Sequence, residues 1–190
     1  NYAFYRAYTS HSTSSVKGLV SAVVPSTVER IGERAFSSTT LESVVFKEGT
    51  APLVIEKYAF AGALFTELAL SANVQSIGEY AFQQNKLLTK IYIPVGLKTI
   101  GERAFSQNTV LESVVIAEGS LLETIGEYAF GGNSQLSSVN LENATSLTTI
   151  GDSAFLNTAL TKVQIPASVV TIDTYAFGEC ESLASIEFLT

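Results

Sequence analysis

The chain has 190 residues, 46% of them hydrophobic, with 18 acidic and 11 basic side chains for a net charge of −7. That is enough apolar material for one folded domain, and an acidic surface repels phosphate backbones, so nucleic acid is not an expected partner. No apolar run reaches the roughly 20 residues that cross a bilayer, and the single cysteine, Cys180, excludes an internal disulfide and leaves the redox compartment open.

The chain starts at Asn1 with no recognisable signal peptide and contains no Met, so it reads as a piece of a longer product. "YAF" at residues 2–4 reads as the tail of a repeat whose strand is missing. A Ser/Thr-rich stretch, residues 5–18, follows as an irregular surface loop. From Leu19 onward two phrases alternate. The first is a short strand: "LVSAVVP" (19–25), "LESVVF" (41–46), "FTELAL" (65–70), "LTKIYIP" (88–94), "LESVVI" (111–116), "LSSVNL" (136–141) and "LTKVQIP" (160–166). The second is "IGERAF" (31–36 and 100–105), "IGEYAF" (77–82 and 125–130) or "IGDSAF" (150–155). The Phe of this second phrase recurs at Phe4, Phe36, Phe60, Phe82, Phe105, Phe130, Phe155 and Phe177. After a first gap of 32, the spacings are 24, 22, 23, 25, 25 and 22. Such a period is the mark of a stacked repeat. Seven full units begin at Leu19, Leu41, Phe65, Leu88, Leu111, Leu136 and Leu160, and a last strand covers residues 183–188.

The chemistry of one unit explains the repetition. Ile91 and Ile93 alternate with polar neighbours, the period of a strand with one buried face. Pro94 ends it, having no N–H to donate. The "IGERAF" phrase reads as a turn followed by a short helical piece. Gly32, Gly78, Gly101, Gly126 and Gly151 are expected to supply a positive φ there, and the acidic residue after each Gly suits exposed N–H groups at a helix start. One unit cannot hide its own apolar residues, but stacked units can. Their strands pair in parallel, and seven units give a solenoid roughly 34 Å long.

These phrases resemble the BspA-type leucine-rich repeat, most fully in "LTKIYIPVGLKTIGERAFSQNTV" (88–110) and "LTKVQIPASVVTIDTYAFGECES" (160–182). The resemblance covers residues 19–188. Only the "GEC" of residues 178–180 keeps the family's usual Cys in the descending turn. The implied fold is an α/β repeat solenoid. It would be a right-handed superhelix with a parallel sheet on its concave face and short helical or irregular turns on the convex side. The implied domain layout is 1–18 for the partial repeat and loop and 19–190 for the solenoid. The family also implies a cell-surface or secreted adhesion protein that binds a host or neighbouring-cell protein.

Candidate sites are few. The only histidine, His11, lies among serines in the loop, and nothing there forms a catalytic triad. Cys180 has no second His to activate it and reads as a packing residue. No phosphate loop, metal-ligand spacing or redox C-x-x-C appears, so no cofactor, no metal and no enzymatic activity are expected. Glu33, Glu79, Glu102, Glu127 and Asp152 form one column that could in principle share calcium, but a single file offers few of the oxygens calcium needs; a solvated edge is the plainer reading. The next column, Arg34, Tyr58, Tyr80, Arg103, Tyr128, Ser153 and Tyr175, reads as a cation–aromatic ladder stiffening the flank, or as an aromatic binding strip. Asn143-Ala144-Thr145 is a glycosylation acceptor motif. The outward strand column reads Val23, Val45, Ala69, Tyr92, Val115, Asn140, Gln164 and Glu187. Its apolar first part points to a protein-binding patch on the concave face formed by Val45, Glu67, Lys90, Tyr92 and Val115. The opposing expectation is a spacer array without its own ligand, in which valine merely suits a strand. The partner would be a host matrix or serum protein, and uncapped terminal layers would favour weak end-to-end self-association.

Overall fold

A computed structural model describes residues 18–190. The expected repeat tail at Phe4, the loop and His11 therefore lie outside, or almost wholly outside, the described residues. Layers one to seven begin at Leu19, Leu41, Phe65, Leu88, Leu111, Leu136 and Leu160, and a partial eighth at Leu183. Each full layer carries two short strands, except where noted below. The first strands are β1 (Ser21–Val24), β3 (Ser43–Phe46), β5 (Glu67–Ala69), β7 (Lys90–Ile93), β9 (Ser113–Ile116), β11 (Ser138–Val139), β13 (Lys162–Ile165) and β15 (Ser185–Phe188). The second strands are β2 (Arg30–Ile31), β4 (Leu53–Ile55), β6 (Val74–Ile77), β8 (Thr99–Ile100), β10 (Thr124–Ile125), β12 (Thr149–Ile150) and β14 (Thr171–Ile172).

The second strands form one continuous seven-stranded parallel sheet. Ile77, Ile100, Ile125, Ile150 and Ile172 stand in register through it. This sheet was not anticipated, because two residues of "TI" are too short to show a period. The first strands, expected to pair without interruption, fall into three groups: β1–β3, β5–β7–β9–β11 and β13–β15. In layer six the chain leaves the strand early through the only helical element among the described residues, a single 3-10 turn at Leu141–Asn143.

The expectation of helical turns, and with it the α/β description, is corrected. The molecule is a parallel-strand β-solenoid with almost no helix. The "IGERAF" segment makes two consecutive tight turns instead. In layer four, the Ala104 N–H donates to Gly101 O at 3.2 Å and the Ser106 N–H to Arg103 O at 3.1 Å. Alternate N–H groups are left free to reach the following layer. Arg103 N donates to Glu127 O at 2.8 Å, Phe105 N to Ala129 O at 2.8 Å and Gln107 N to Gly131 O at 3.0 Å. The same three bonds recur from layer one to layer seven, so the turns form a third side of layer-to-layer bonding.

The glycine reading is also corrected. Gly32, Gly78, Gly101, Gly126 and Gly151 are not among the positive-φ residues; Arg34, Tyr58, Tyr80, Arg103, Tyr128, Ser153 and Tyr175, two positions on, are, at φ 51–57°. The third position of a four-residue turn is where a left-handed residue closes it. Glycine precedes that position because layers approach closely there. A Cβ on Gly101 would lie 2.9 Å from the Gly78 carbonyl carbon and 2.9 Å from Ile77 O.

The interior follows the expected columns. Leu41, Phe65, Leu88, Leu111, Leu136 and Leu160 are buried, as are Phe60, Phe82, Phe105, Phe130 and Phe155. The phenylalanines stack from Phe36 to Phe177 with centroids 5.0–5.4 Å apart and planes within 8°. Beside them runs an internal amide ladder. Asn85, Asn108 and Asn133 are fully buried. Each side-chain oxygen accepts an N–H from the layer before: Ala63 at 2.8 Å, Asn85 at 2.6 Å and Asn108 at 2.7 Å. Thr158 and Cys180 continue the column, both donating to Phe155 O, so Cys180 is a packing and hydrogen-bonding residue here.

Candidate functional site

Two exposed columns carry the side chains proposed from sequence. The first lies on the face made by the first strands. Parallel pairing Glu67↔Lys90, Ala69↔Tyr92 and Tyr92↔Val115 brings four of the five candidate residues onto adjacent strands β5, β7 and β9. Alternation turns Leu68, Ile91 and Val114 inward and leaves their neighbours outward. Val23 is 60% exposed, Val45 49% and Tyr92 37%; Val115 is half-buried. Val45 belongs to the separate β1–β3 group, so the structure does not join it to the others by strand pairing. The Lys90 ammonium sits 4.7 Å from the Tyr92 ring centroid. Its partnership with Tyr92, and behind that the Glu67 carboxylate, raises the Lys90 pKa above the ordinary lysine value. Lys90 is thereby held over the ring, and the pair presents a cation and an aromatic edge together. Farther along the same column the surface turns polar. Gln164 donates to Glu187 at 2.8 Å and Lys162 pairs with Glu187 at 3.4 Å.

The second column is the flank ladder. Left-handed backbone at Arg34, Tyr58, Tyr80, Arg103 and Tyr128 sends their side chains along the solenoid edge, one per layer. Arg34 lies 4.5 Å from the Tyr58 ring, Tyr58 stacks on Tyr80 at 4.7 Å, and Arg103 lies 5.8 Å from Tyr80 and 5.5 Å from Tyr128. Of the acidic column beside it, Glu33, Glu79, Glu102 and Glu127 pair with cations. Lys57 pairs with Glu79, and Arg103 with Glu102 and Glu127. Glu56 binds Arg30 at 2.5 Å and accepts the Glu33 N–H at 3.0 Å. The carboxylates expected at helix starts thus brace neighbouring layers instead. Among the described residues no group of three or more His, Cys, Asp or Glu is placed to hold a metal ion. The ladder weakens at Ser153, whose hydroxyl turns to Asp152, and Tyr175 stands exposed beyond it.

Neither column encloses a cavity. A shallow groove of about 540 Å³ runs along the second sheet, lined by Arg30, Val54, Glu56, Lys57, Ser76 and Glu79 among others. Its charged groups are already paired with one another. Asn143, the glycosylation acceptor, donates its side-chain amide to Ile116 O at 3.0 Å. Among the described residues no helix is long and apolar enough to cross a membrane. Charge is distributed unevenly along the stack. Up to Arg103 the sequence has eight acidic and ten basic residues; after it come ten acidic residues and one base, Lys162.

A comparison with solved structures finds leucine-rich repeat proteins. One, from Bacteroides ovatus ATCC 8483, is 26% identical with a TM-score of 0.58; the match covers 79% of this chain and 44% of that one. A second, from Eubacterium ventriosum ATCC 27560, is 22% identical with a TM-score of 0.52, covering 89% of this chain and 54% of the other. A leucine-rich cell surface protein of Faecalibacterium prausnitzii A2-165 aligns at 23% identity and a TM-score of 0.42, covering 89% and 59%. This chain therefore spans about half the length of these relatives. No curated protein matches it in sequence. The family model described as the BspA type leucine-rich repeat region matches in six copies, over residues 6–121 and 108–190. The chain belongs to the BspA-type leucine-rich repeat family.

Proposed function

We propose that the chain is a protein-binding module of a cell-surface or secreted adhesion protein. It takes a host or neighbouring-cell protein, of the extracellular matrix or serum, on the face formed by its first strands. One observation carries the reading: an outward column of Val23, Val45, Ala69, Tyr92 and Val115 runs along an uncovered sheet face. Uncovered sheet faces are ordinarily polar, and contiguous exposed apolar surface marks interaction sites. Tyr92 is the anchor, since interface energy concentrates in such residues, and Glu67 and Lys90 set polar register. A spacer without a ligand has no use for that column.

The test is binding to immobilised matrix and serum proteins at physiological salt. Tyr92→Ala combined with Val115→Ser should weaken binding about tenfold or more, a loss of at least about 1.4 kcal/mol, with little change in folding. Arg103→Ala on the flank should leave binding unchanged. Loss with the flank variant and not with the face variant would move the site to the tyrosine–arginine ladder. No binding to any of these proteins by the unaltered chain would favour the spacer.

A further inference from the structure

The two interruptions in the first-strand sheet follow a rule. From the inward residue of a first strand to the isoleucine of the next second strand, the arc is nine positions in layer one (Ala22 to Ile31), layers three and four, and layer seven (Val163 to Ile172). It is eleven in layers two (Val44 to Ile55), five (Val114 to Ile125) and six (Val139 to Ile150). Pairing is lost where a long layer is followed by a short one, between β3 and β5 and between β11 and β13. Short-to-long, short-to-short and long-to-long junctions all pair.

The order matters because the bond that closes the β1–β3, β7–β9 and β13–β15 junctions at the strand end is accepted by the earlier layer: Lys47 N donates to Val24 O, Ala117 N to Ile93 O and Leu189 N to Ile165 O. In layer six that corner has already left the strand. There Leu141 O is taken by the Ala144 N–H at 2.8 Å. The position that would donate to it is Pro166, which has no N–H; Pro94 holds the same place in the paired β5–β7 junction, so the early turn at Leu141 and not the proline alone opens the seam. The long-to-long junction is rescued by a side chain: Asn140 accepts the Ile116 N–H at 2.7 Å and donates to Ile116 O at 2.9 Å, standing in for a strand peptide.

Across both seams the other two sides stay closed. At the first, β4 pairs with β6, Phe60 stacks on Phe82 at 5.2 Å, and Tyr58, Phe60 and Gly62 donate to Glu79, Ala81 and Gln83. At the second, β12 pairs with β14, Phe155 stacks on Phe177 at 5.4 Å, and Ser153, Phe155 and Asn157 donate to Thr174, Ala176 and Gly178. We infer that the two seams are hinges: the first-strand face consists of three rigid panels that tilt on an unbroken spine of second sheet, phenylalanine stack and turn ladder, with hinge positions written by a long arc preceding a short one. The inference stands whether or not that face binds a protein.

The experiment measures distances between spin labels in the folded chain, with Cys180→Ser as background. Ser138→Cys with Lys162→Cys spans the second seam, and Ser113→Cys with Ser138→Cys spans a paired junction in the same column. The distance distribution across the seam should be at least about twice as broad, as local opening there requires. Equal widths would overturn the proposal. A second variant shortens the arc of layer six by removing Glu142 and Asn143. It should narrow the Ser138–Lys162 distribution and broaden the Ser113–Ser138 one, since the long-to-short step moves back one layer. Unchanged widths in a folded deletion variant would also overturn it. If the deletion prevents folding, the parent comparison decides alone.

Discussion

Among the described residues twelve other than glycine sit at positive φ, and they fall in two columns of the turn segment. The outer one holds Ser38, Gln84, Gln107, Asn157 and Glu179, with Gly62 and Gly132 in the remaining layers. A side chain in the left-handed region costs on the order of 1 kcal/mol, partly offset in glycine by its greater freedom when unfolded. Gln107→Gly should therefore stabilise the chain by about 0.5 kcal/mol, although it removes the exposed 2.7 Å bond from Gln84. Phe105→Ala, at the centre of the ring stack, should cost about 3–5 kcal/mol. Urea denaturation midpoints check both: the two shifts must be opposite in sign. The inward facing of Phe105 was legible in the sequence because every layer repeats it. The left-handed position was not. Glycine attracts the inference of positive φ, yet Gly101 is required by the approach of Gly78, a contact between residues far apart in sequence.

At the scale of elements, the strand phrase was readable from its period of two, and so was the column of Val45, Tyr92 and Val115. The second sheet and the turn ladder were not, since their bonds run between layers and leave no pattern within one layer. The buried amides belong to that hidden set. Asn108 accepts from Asn85 N and donates to Phe105 O at 2.8 Å. Asn108→Ala would strand the Asn85 N–H, worth about 1–3 kcal/mol when left unpaired, while Phe105 O keeps the Asn133 amide at 3.0 Å, so a loss of about 1–3 kcal/mol is expected in the same denaturation assay. The terminal strand offers a pH test. Hydrogen bonding from Gln164, and then from Lys162, holds the Glu187 carboxyl below its ordinary value. A lowered folded pKa stabilises above the unfolded value of about 4.5 and loses that stabilisation as pH falls through the folded one. Amide exchange in β15 should therefore accelerate, relative to β9, as pH drops from about 4.5 through the lower folded value, after correction for intrinsic rates. Glu187→Gln should abolish the extra acid sensitivity; a variant as acid-sensitive as its parent would rule the carboxylate out as the cause.

At the scale of the molecule, each layer touches chiefly its neighbours, so stability is close to a sum over layers. A chain ending at Ala159 lacks β13, β14 and β15 and should keep its β-type circular dichroism. Its urea m-value should fall roughly in proportion to the surface lost. Complete unfolding would mean that the stack is one indivisible unit. The turn ladder has a further consequence for the whole. Its bonds all run one way: the N–H groups of Arg34, Phe36 and Ser38 point to layer two, and those of Ser153, Phe155 and Asn157 to layer seven. Three columns of peptides are thus aligned head to tail, as in a helix but with the opposite sense, N–H leading toward the later layers. Those three columns carry a dipole with its positive pole toward the later layers, opposed by columns such as Gly101 N to Ile77 O and Gly126 N to Ile100 O, whose N–H groups point to the earlier layers. Among the described residues, the ten carboxylates beyond Arg103, against a single lysine, lie toward the positive end of those columns, and eight of the nine bases lie toward the other. The uneven charge of the chain is complementary to the polarity of its turn ladder. Exchanging acids and bases between the two halves at constant net charge would set the side chains against it.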